Sequence, residues 1–459
     1  MSDWEIGLFI LFGMLLLGVP IGLALTFVGT VGTAAILGWS PSFALLGQTF
    51  FDNSRAYSLS ILPLFLMMGN FVVQSGIAND LYTAAYSWLR HRKGGLAMAT
   101  VIACGGFSSV CGSSLATAST MTRIAMPSMR RFNYPDSLST ASIAAGGTLG
   151  ILIPPSVILV FYGIMTQQDI GKLFLAGIVP GLIGIALYVL AVRISIVTGR
   201  IELPTEPKLP LVDRLRALKG VIGALGLFVF VMGGIYLGVF TPTESAGMGA
   251  GGAFLLVLLQ RRMDPEALIR TLYDTAKTTA SMFLILFGAL TFANYVNLSG
   301  MGADIRDLVT VTVTDNPLVA ILIITAIYIV LGCVLEGLSM ITLTIPIFYP
   351  IVAGLGYDLI WFGVYVVIVT ELSYITPPVG LNAFVLKSVV KDVSLGTIFR
   401  GLWAFLMVDV LRVALILAFP ALVLFLPRMM RRPTSPSVRP GQGAPRIGPG
   451  GTSLSAQAE

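Results

Sequence analysis

Two short runs of the sequence combine glycine with hydroxyl groups inside otherwise apolar surroundings. They are Gly105-Gly106-Phe107-Ser108-Ser109-Val110-Cys111-Gly112-Ser113-Ser114 and Gly332-Cys333-Val334-Leu335-Glu336-Gly337-Leu338-Ser339. Each is followed by a second interruption. Gly146-Gly147-Thr148-Leu149-Gly150 leads into Pro154-Pro155-Ser156, and Ser373-Tyr374-Ile375-Thr376 leads into Pro377-Pro378 and on to Asn382. Tandem prolines remove two amide donors and clash with the preceding turn, so a continuous helix cannot persist through them. The freed carbonyls are hard oxygen ligands suited to Na+, and freed helix N-termini attract carboxylates. Glu336 and Glu371 add carboxylates at depth, where an ionised group costs roughly 2.5–3.5 kcal/mol even on the lenient insertion scale. Glu336 either serves such a site or braces its turn through backbone amides.

Other chemistry has little to be built from. The only histidine, His91, stands among Arg90, Arg92 and Lys93. Cys104, Cys111 and Cys333 lack metal-ligand spacing and read as small buried side chains. No GxxxxGK[ST] loop occurs, which disfavours an ATP-driven pump. No catalytic constellation is present, so an enzyme is not expected. Arg123 reads as snorkelling toward headgroups, Asp409 and Arg412 as a pair one turn apart, and Glu244 after Pro242 as a helix N-terminus.

These interruptions lie in a chain whose solvent is lipid. Apolar residues make up 56% of 459 positions and charged ones 11%, with mean hydropathy +0.90. Soluble domains carry about 25% charged residues. The net charge of +6 follows from basic cytoplasmic loops and needs no nucleic acid. The chain also resembles itself at a spacing of about 223 residues. Ser75-Gly76-Ile77-Ala78-Asn79-Asp80-Leu81 recurs as Ser299-Gly300-Met301-Gly302-Ala303-Asp304-Ile305, Pro127 falls on Pro350, and Pro154-Pro155 falls on Pro377-Pro378. Asp169 falls on Asp392.

The spacing predicts two repeats, 1–197 and 220–427, joined by a cytoplasmic linker at 198–219 and followed by a disordered tail at 428–459. Spans are expected at 5–18, 20–38, 56–75, 137–165 and 173–193, then at 220–240, 244–260, 277–298, 359–386 and 401–427. The segments 95–129 and 317–357 either cross twice or dip in and return as re-entrant hairpins, and both ends of each lie on one side. Five crossings per half force the second half to be inverted. The charges agree: Arg90, Arg92, Lys93, Arg130 and Arg131 flank the first hairpin, while Asp304, Asp307, Asp315 and Asp358 flank the second, with only Arg306 nearby. The loops 193–219, 261–277 and 387–400 then fall inside and both termini outside. Inverted repeats with broken helices at the midplane are the signature of secondary transporters. The expected fold is an all-α polytopic membrane protein with about ten spans and two re-entrant helical hairpins.

At 105–120, 146–163 and 371–382 the chain closely resembles the large membrane subunit of TRAP (tripartite ATP-independent periplasmic) transporters, the DctM-type permease, over about residues 1–427. The resemblance implies an elevator-type, Na+-coupled transporter in the bacterial inner membrane. It also implies a small four-helix membrane subunit (DctQ-type), here expected as a separate chain. A periplasmic solute-binding protein (DctP-type) would deliver a small organic acid such as a C4-dicarboxylate or sialic acid. Na+ is the only metal implied, with no cofactor. One Na+ site is assigned by the resemblance to Gly112, Ser113, Ser114, Gly147 and Thr148. The other is assigned to Glu336, Gly337, Ser339, Thr376 and Pro377. The substrate-binding candidates are Ser109, Ser113, Pro154, Pro155, Thr376, Pro378 and Asn382. The small residues also fit close helix packing. The runner-up is a single-component carrier of the same hairpin plan for di- or tricarboxylates or other anions; a passive channel is the third class.

Overall fold

A computed structural model describes residues 3–261, 263–301, 304 and 317–430. The expectations for Arg306, Asp307, Asp315 and the tail beyond 430 lie outside the described residues. The described chain is all helical. The first half runs α1 (Asp3–Leu16), α2 (Ile21–Leu37), α3 (Trp39–Ser54), α4 (Ile61–Gln74), α5 (Ile77–Leu89), α6 (Gly95–Cys111), α7 (Ser114–Arg131), α8 (Asp136–Thr148), α9 (Val157–Thr166) and α10 (Ile170–Thr198). After α11 (Leu211–Leu218) in the linker come α12 (Ile222–Tyr236), α13 (Pro242–Leu259) and α14 (Pro265–Leu298). The chain continues with α15 (Pro317–Gly332), α16 (Gly337–Gly354), α17 (Leu359–Ile375), α18 (Leu381–Val389), α19 (Leu395–Ala418) and α20 (Ala421–Met429).

The helices start and stop where local chemistry dictates. Thr241 and Glu244 form a capping box at the start of α13, so Glu244 does serve a helix N-terminus. Asp264 caps α14 with Pro265 in its first turn. That start lies well before the expected span at 277. The 34 residues of α14 reach about 51 Å at 1.5 Å per residue, against a hydrocarbon core of about 30 Å. Its first turns, with Glu266, Arg270, Asp274 and Lys277, are therefore an extramembrane extension rather than a loop. At the same spacing in the first half, α3 and α4 stand where α14 is continuous, interrupted at Arg55-Ala56. No span is expected over α3, where Gln48, Asp52 and Asn53 interrupt the apolar run.

Among the described residues, five helical stretches are individually long and apolar enough to cross a membrane, and six shorter apolar helices of 10–17 residues accompany them. The short ones arise from the glycine and proline breaks. Both re-entrant segments are helix–turn–helix hairpins. At the base of the first, the Leu96 amide donates to the Tyr134 hydroxyl at 3.4 Å, which brings both ends to one side. Within the second, Tyr328 of α15 bonds Thr344 of α16, and its ring lies 5.8 Å from Phe348.

The two halves exchange partners across the molecule. α2 packs along α14, and α13 along α4; α7 packs on α18, and α16 on α9. Glycines bring the first pair close, since a Cβ at Gly22 or Gly29 would stand 2.8 Å from α14 backbone. Around α1, α2 and the end of α14 a small apolar core (Leu25, Phe292, Tyr295) is separate from the large one that holds the hairpins.

Candidate functional site

The hairpin tips are built by two-to-four-residue turns that different residues hold in place. At the first tip Gly112 takes φ +67, a conformation glycine adopts without steric cost. Ser113 then caps α7, its hydroxyl accepting the Ala116 amide at 3.3 Å. A Cβ at Gly112 would stand 2.8 Å from the Pro155 carbonyl, and one at Gly150 would stand 2.7 Å from the Ser113 carbonyl. The first tip therefore rests backbone to backbone on the first break. That break leaves α8 after Thr148 through one 3-10 turn, Leu149–Ile151, and resumes as α9 when the Ser156 hydroxyl accepts the Leu159 amide at 3.3 Å.

At the second tip Glu336 holds the N-cap position of α16 but makes no side-chain capping bond, so it does not brace the turn through the capping amides. Instead the Gly337 amide donates to the Tyr374 hydroxyl. The second break runs through extended Thr376 and the two prolines to Gly380 at φ +60, which starts α18. Both proline pairs, Pro154-Pro155 and Pro377-Pro378, are cis.

Both tips open on one cavity of about 250 Å3. Its walls include Cys111, Gly112, Ser113 and Ser114 from the first tip, Glu336 from the second, Tyr374, and the start of α9 at Val157. The opposite wall is Asn70 of α4 with Thr278 and Met282 of α14. Small-molecule pockets commonly run from about 300 Å3 upward, so this one suits a compact solute. Among the described residues no lysine or arginine lines it, and Glu336 is its one ionisable wall residue other than Cys111 and Tyr374. Positive potential there comes from the N-termini of α7 and α16, both of which end at the cavity. Among the described residues no group of three or more His, Cys, Asp or Glu side chains is arranged to hold a metal.

The other sequence candidates lie around this cavity rather than in it. Gly147 packs on Ala118, where a Cβ would come within 2.9 Å. Thr148 is buried, donating to the Ala145 carbonyl at 2.8 Å and lying 3.1 Å from the Tyr188 hydroxyl. Asn382 is buried as a cross-link between the halves: it accepts from Ser114 and donates to the Ala144 carbonyl, both at 2.9 Å. Ser109 donates to the Gly106 carbonyl at 2.7 Å, and Thr376 to that of Leu372 at 2.6 Å. The Ser339 carbonyl accepts from Thr342 at 3.1 Å. Pro154 and Pro155 are buried, Pro377 and Pro378 exposed. Arg123 is exposed and lies off the cavity.

Asn70 and Thr278 are the wall residues that the sequence reading passed over. They sit in helices that run on without a break. The signal available for Asn70 was an amide in the middle of an apolar helix; it donates to Thr275 of α14 at 2.9 Å.

Paired hairpins and broken helices that meet at one cavity are the architecture of a multi-pass transporter. The chain belongs to the tripartite ATP-independent periplasmic transporter family, DctM component, whose family model matches residues 8–422. It is 36% identical over 405 residues to the C4-dicarboxylate TRAP transporter large permease protein DctM of Pseudomonas aeruginosa, covering 88% of this chain and 94% of that one. It is 32% identical to the sialic acid large permease SiaM of Vibrio cholerae, covering 91% and 96%. It is 30% identical to the ectoine large permease TeaC of Halomonas elongata, covering 90% and 96%. Among solved structures, the Alcanivorax borkumensis YdaH transporter shares the fold, with a TM-score of 0.59 at 16% identity over 84% of this chain and 89% of that one. The chain is a transporter permease subunit and not an enzyme.

Proposed function

We propose that this permease subunit imports a small organic acid by Na+ symport across the bacterial inner membrane. It would work with a small membrane subunit and a periplasmic binding protein that hands over the solute. The observation that carries this reading is the charge of the cavity. Among the described residues, an acid entering it meets no cationic side chain and one carboxylate, Glu336. Two helix N-termini give only partial positive charge, so bound cations are needed to make the complex neutral. Carbonyl oxygens at the two breaks supply ligands of the right hardness. The permease relatives are named for a C4-dicarboxylate, sialic acid and ectoine, so the solute is set within a range of small polar molecules rather than to one of them.

The hairpins and breaks are proposed to move together as an elevator block against α2, α4, α13 and α14. The reciprocal packing of α7 on α18 and of α16 on α9 supports one body. By the charge pattern, the base of the first hairpin faces the cytoplasm. Uptake in proteoliposomes carrying this chain, its small subunit and the co-encoded binding protein tests the proposal. Accumulation driven by an inward Na+ gradient, and only with the binding protein, is expected. Uptake by the permease alone would instead make it a single-component carrier, and indifference to Na+ would remove the coupling.

A further inference from the structure

A buried ionic group joins the two helix breaks, and none of its members lines the cavity. Glu371 of α17 and Asp409 and Arg412 of α19 are 0%, 1% and 0% exposed. Arg412 donates to Glu371 Oε2, and its Nε lies 3.2 Å from Asp409 Oδ1. The Tyr188 hydroxyl of α10 donates to Asp409 Oδ2 at 2.5 Å, and that hydroxyl lies 3.1 Å from Thr148 at the end of α8. The guanidinium also stands over the Tyr188 ring, 5.8 Å from its centre. Thr148 and Glu371 occupy equivalent positions of the two repeats, 223 residues apart.

The charges do not balance. Two carboxylates share one guanidinium, leaving one negative charge in an interior that solvates it poorly. The two acids are also treated differently. Asp409 Oδ2 accepts from Tyr188, and Oδ1, though it accepts no hydrogen bond, lies 3.2 Å from the guanidinium Nε, so a donor or the cation stands by each oxygen and favours the ionised form. Glu371 has a donor at Oε2 only; its Oε1 is buried without a partner. The ionisable side chains acting on Glu371 are Arg412 and Asp409, and Tyr188 reaches it through Asp409. None of the three side chains lines the cavity, and a proton needs only one bare oxygen.

We propose that Glu371 holds a proton on its unpartnered oxygen, making a neutral triad with Arg412 and Asp409 that ties the two breaks into one body. The role of the tie in motion rests on the transport reading above; the proton on Glu371 does not. A proton site here is separate from the cavity, and it touches the assigned cation ligands only where Tyr188 reaches Thr148. It lets the hairpin block pass through lipid without an uncompensated interior charge.

Infrared spectroscopy of the full chain in lipid at neutral pH tests the proton directly, whatever the solute or coupling ion. The carbonyl band of a protonated, slowly exchanging carboxyl is expected in the wild type. It should be lost in Glu371→Gln and kept in Glu336→Gln. No such band in the wild type, or its survival in Glu371→Gln, overturns the proposal. Charge arithmetic gives a second test by thermal unfolding. Arg412→Met strands ionised Asp409 and should lower the melting temperature. Adding Asp409→Asn should recover at least half the loss, because all three positions are then neutral. A double variant as unstable as Arg412→Met would mean that Glu371 is ionised, which also overturns the proposal.

Discussion

The two hairpin tips occupy equivalent places in the repeat, yet they are held by different means. Ser113 and Glu336 are 223 residues apart and both stand at the N-cap of a hairpin's second arm. Ser113 caps its helix; Glu336 does not and faces the cavity instead. The first tip lies against the backbone of its break, whose prolines are buried. The second is held through the hydroxyl of Tyr374, and its prolines are exposed. Backbone against backbone leaves no side chain to adjust, whereas a side-chain link can be re-cut. The first tip therefore behaves as the fixed wall of the site and the second as the adjustable one.

The largest expected effect comes from crowding the fixed wall. Gly150→Ala puts a methyl 2.7 Å from the Ser113 carbonyl, and overpacking of this kind costs about 1–3 kcal/mol. Gly112→Ala adds the left-handed backbone penalty at φ +67. Both variants should lose uptake at normal expression, and no single side-chain deletion should restore it. Transport by either at the wild-type rate would break the comparison.

Gly337→Ala should be nearly as damaging, since its methyl would collide with the Tyr374 hydroxyl and come within 2.9 Å of Ile158. Here relief is available. Adding Tyr374→Phe removes the colliding oxygen and should recover part of the uptake. A double variant no better than the single one would show that the second wall is as rigid as the first.

A smaller effect is expected from the ion sites. Ser113→Ala and Thr376→Ala each remove at most one oxygen and leave carbonyls in place, so the Na+ concentration for half-maximal uptake should rise a few-fold. Unchanged Na+ dependence in both would move the ion ligands elsewhere. The smallest effect concerns the exposed ion pairs of Arg130 with Asp136 at 3.0 Å and with Asp392 at 2.7 Å. The Arg130 hydrogen bond holds the Asp392 carboxyl below its usual range. Its contribution is therefore present above the unfolded value and lost as pH falls through the folded one. Asp392→Asn should barely change thermal stability near neutral pH, as exposed pairs contribute little, and should change nothing in acid.

Much of this architecture was legible because glycine and proline act locally. The breaks at Pro154-Pro155 and Pro377-Pro378 and both hairpin turns follow from backbone sterics that any sequence window contains. The repeat supplied their pairing. What stayed hidden depends on contacts between distant segments. Asn382 reads as a site residue from its place after the prolines, yet it cross-links Ser114 to Ala144. The pairing of Asp409 with Arg412 was readable at one-turn spacing, but Glu371, 41 positions before Arg412, joins them only in the fold. Asn70 and Thr278 reach the cavity because α4 and α14 pack together, which no local pattern encodes. Repeat equivalence also misleads at one point. Asp169 caps α10, while its counterpart Asp392 pairs with Arg130 and leaves the capping of α19 to Ser394.

The cavity already carries a reporter. Cys111 lines it half-buried, while Cys104 and Cys333 are buried. Replacing the latter two by alanine leaves Cys111 as the sole thiol of the chain. Its rate of modification by N-ethylmaleimide can be followed in the reconstituted transporter, with the acid that the system takes up added in Na+ or in K+ medium. If the space between the two tips binds the solute with Na+, the acid slows modification in Na+ and leaves it unchanged in K+. Modification at one rate in both media, with the acid saturating uptake, would place the solute outside this cavity.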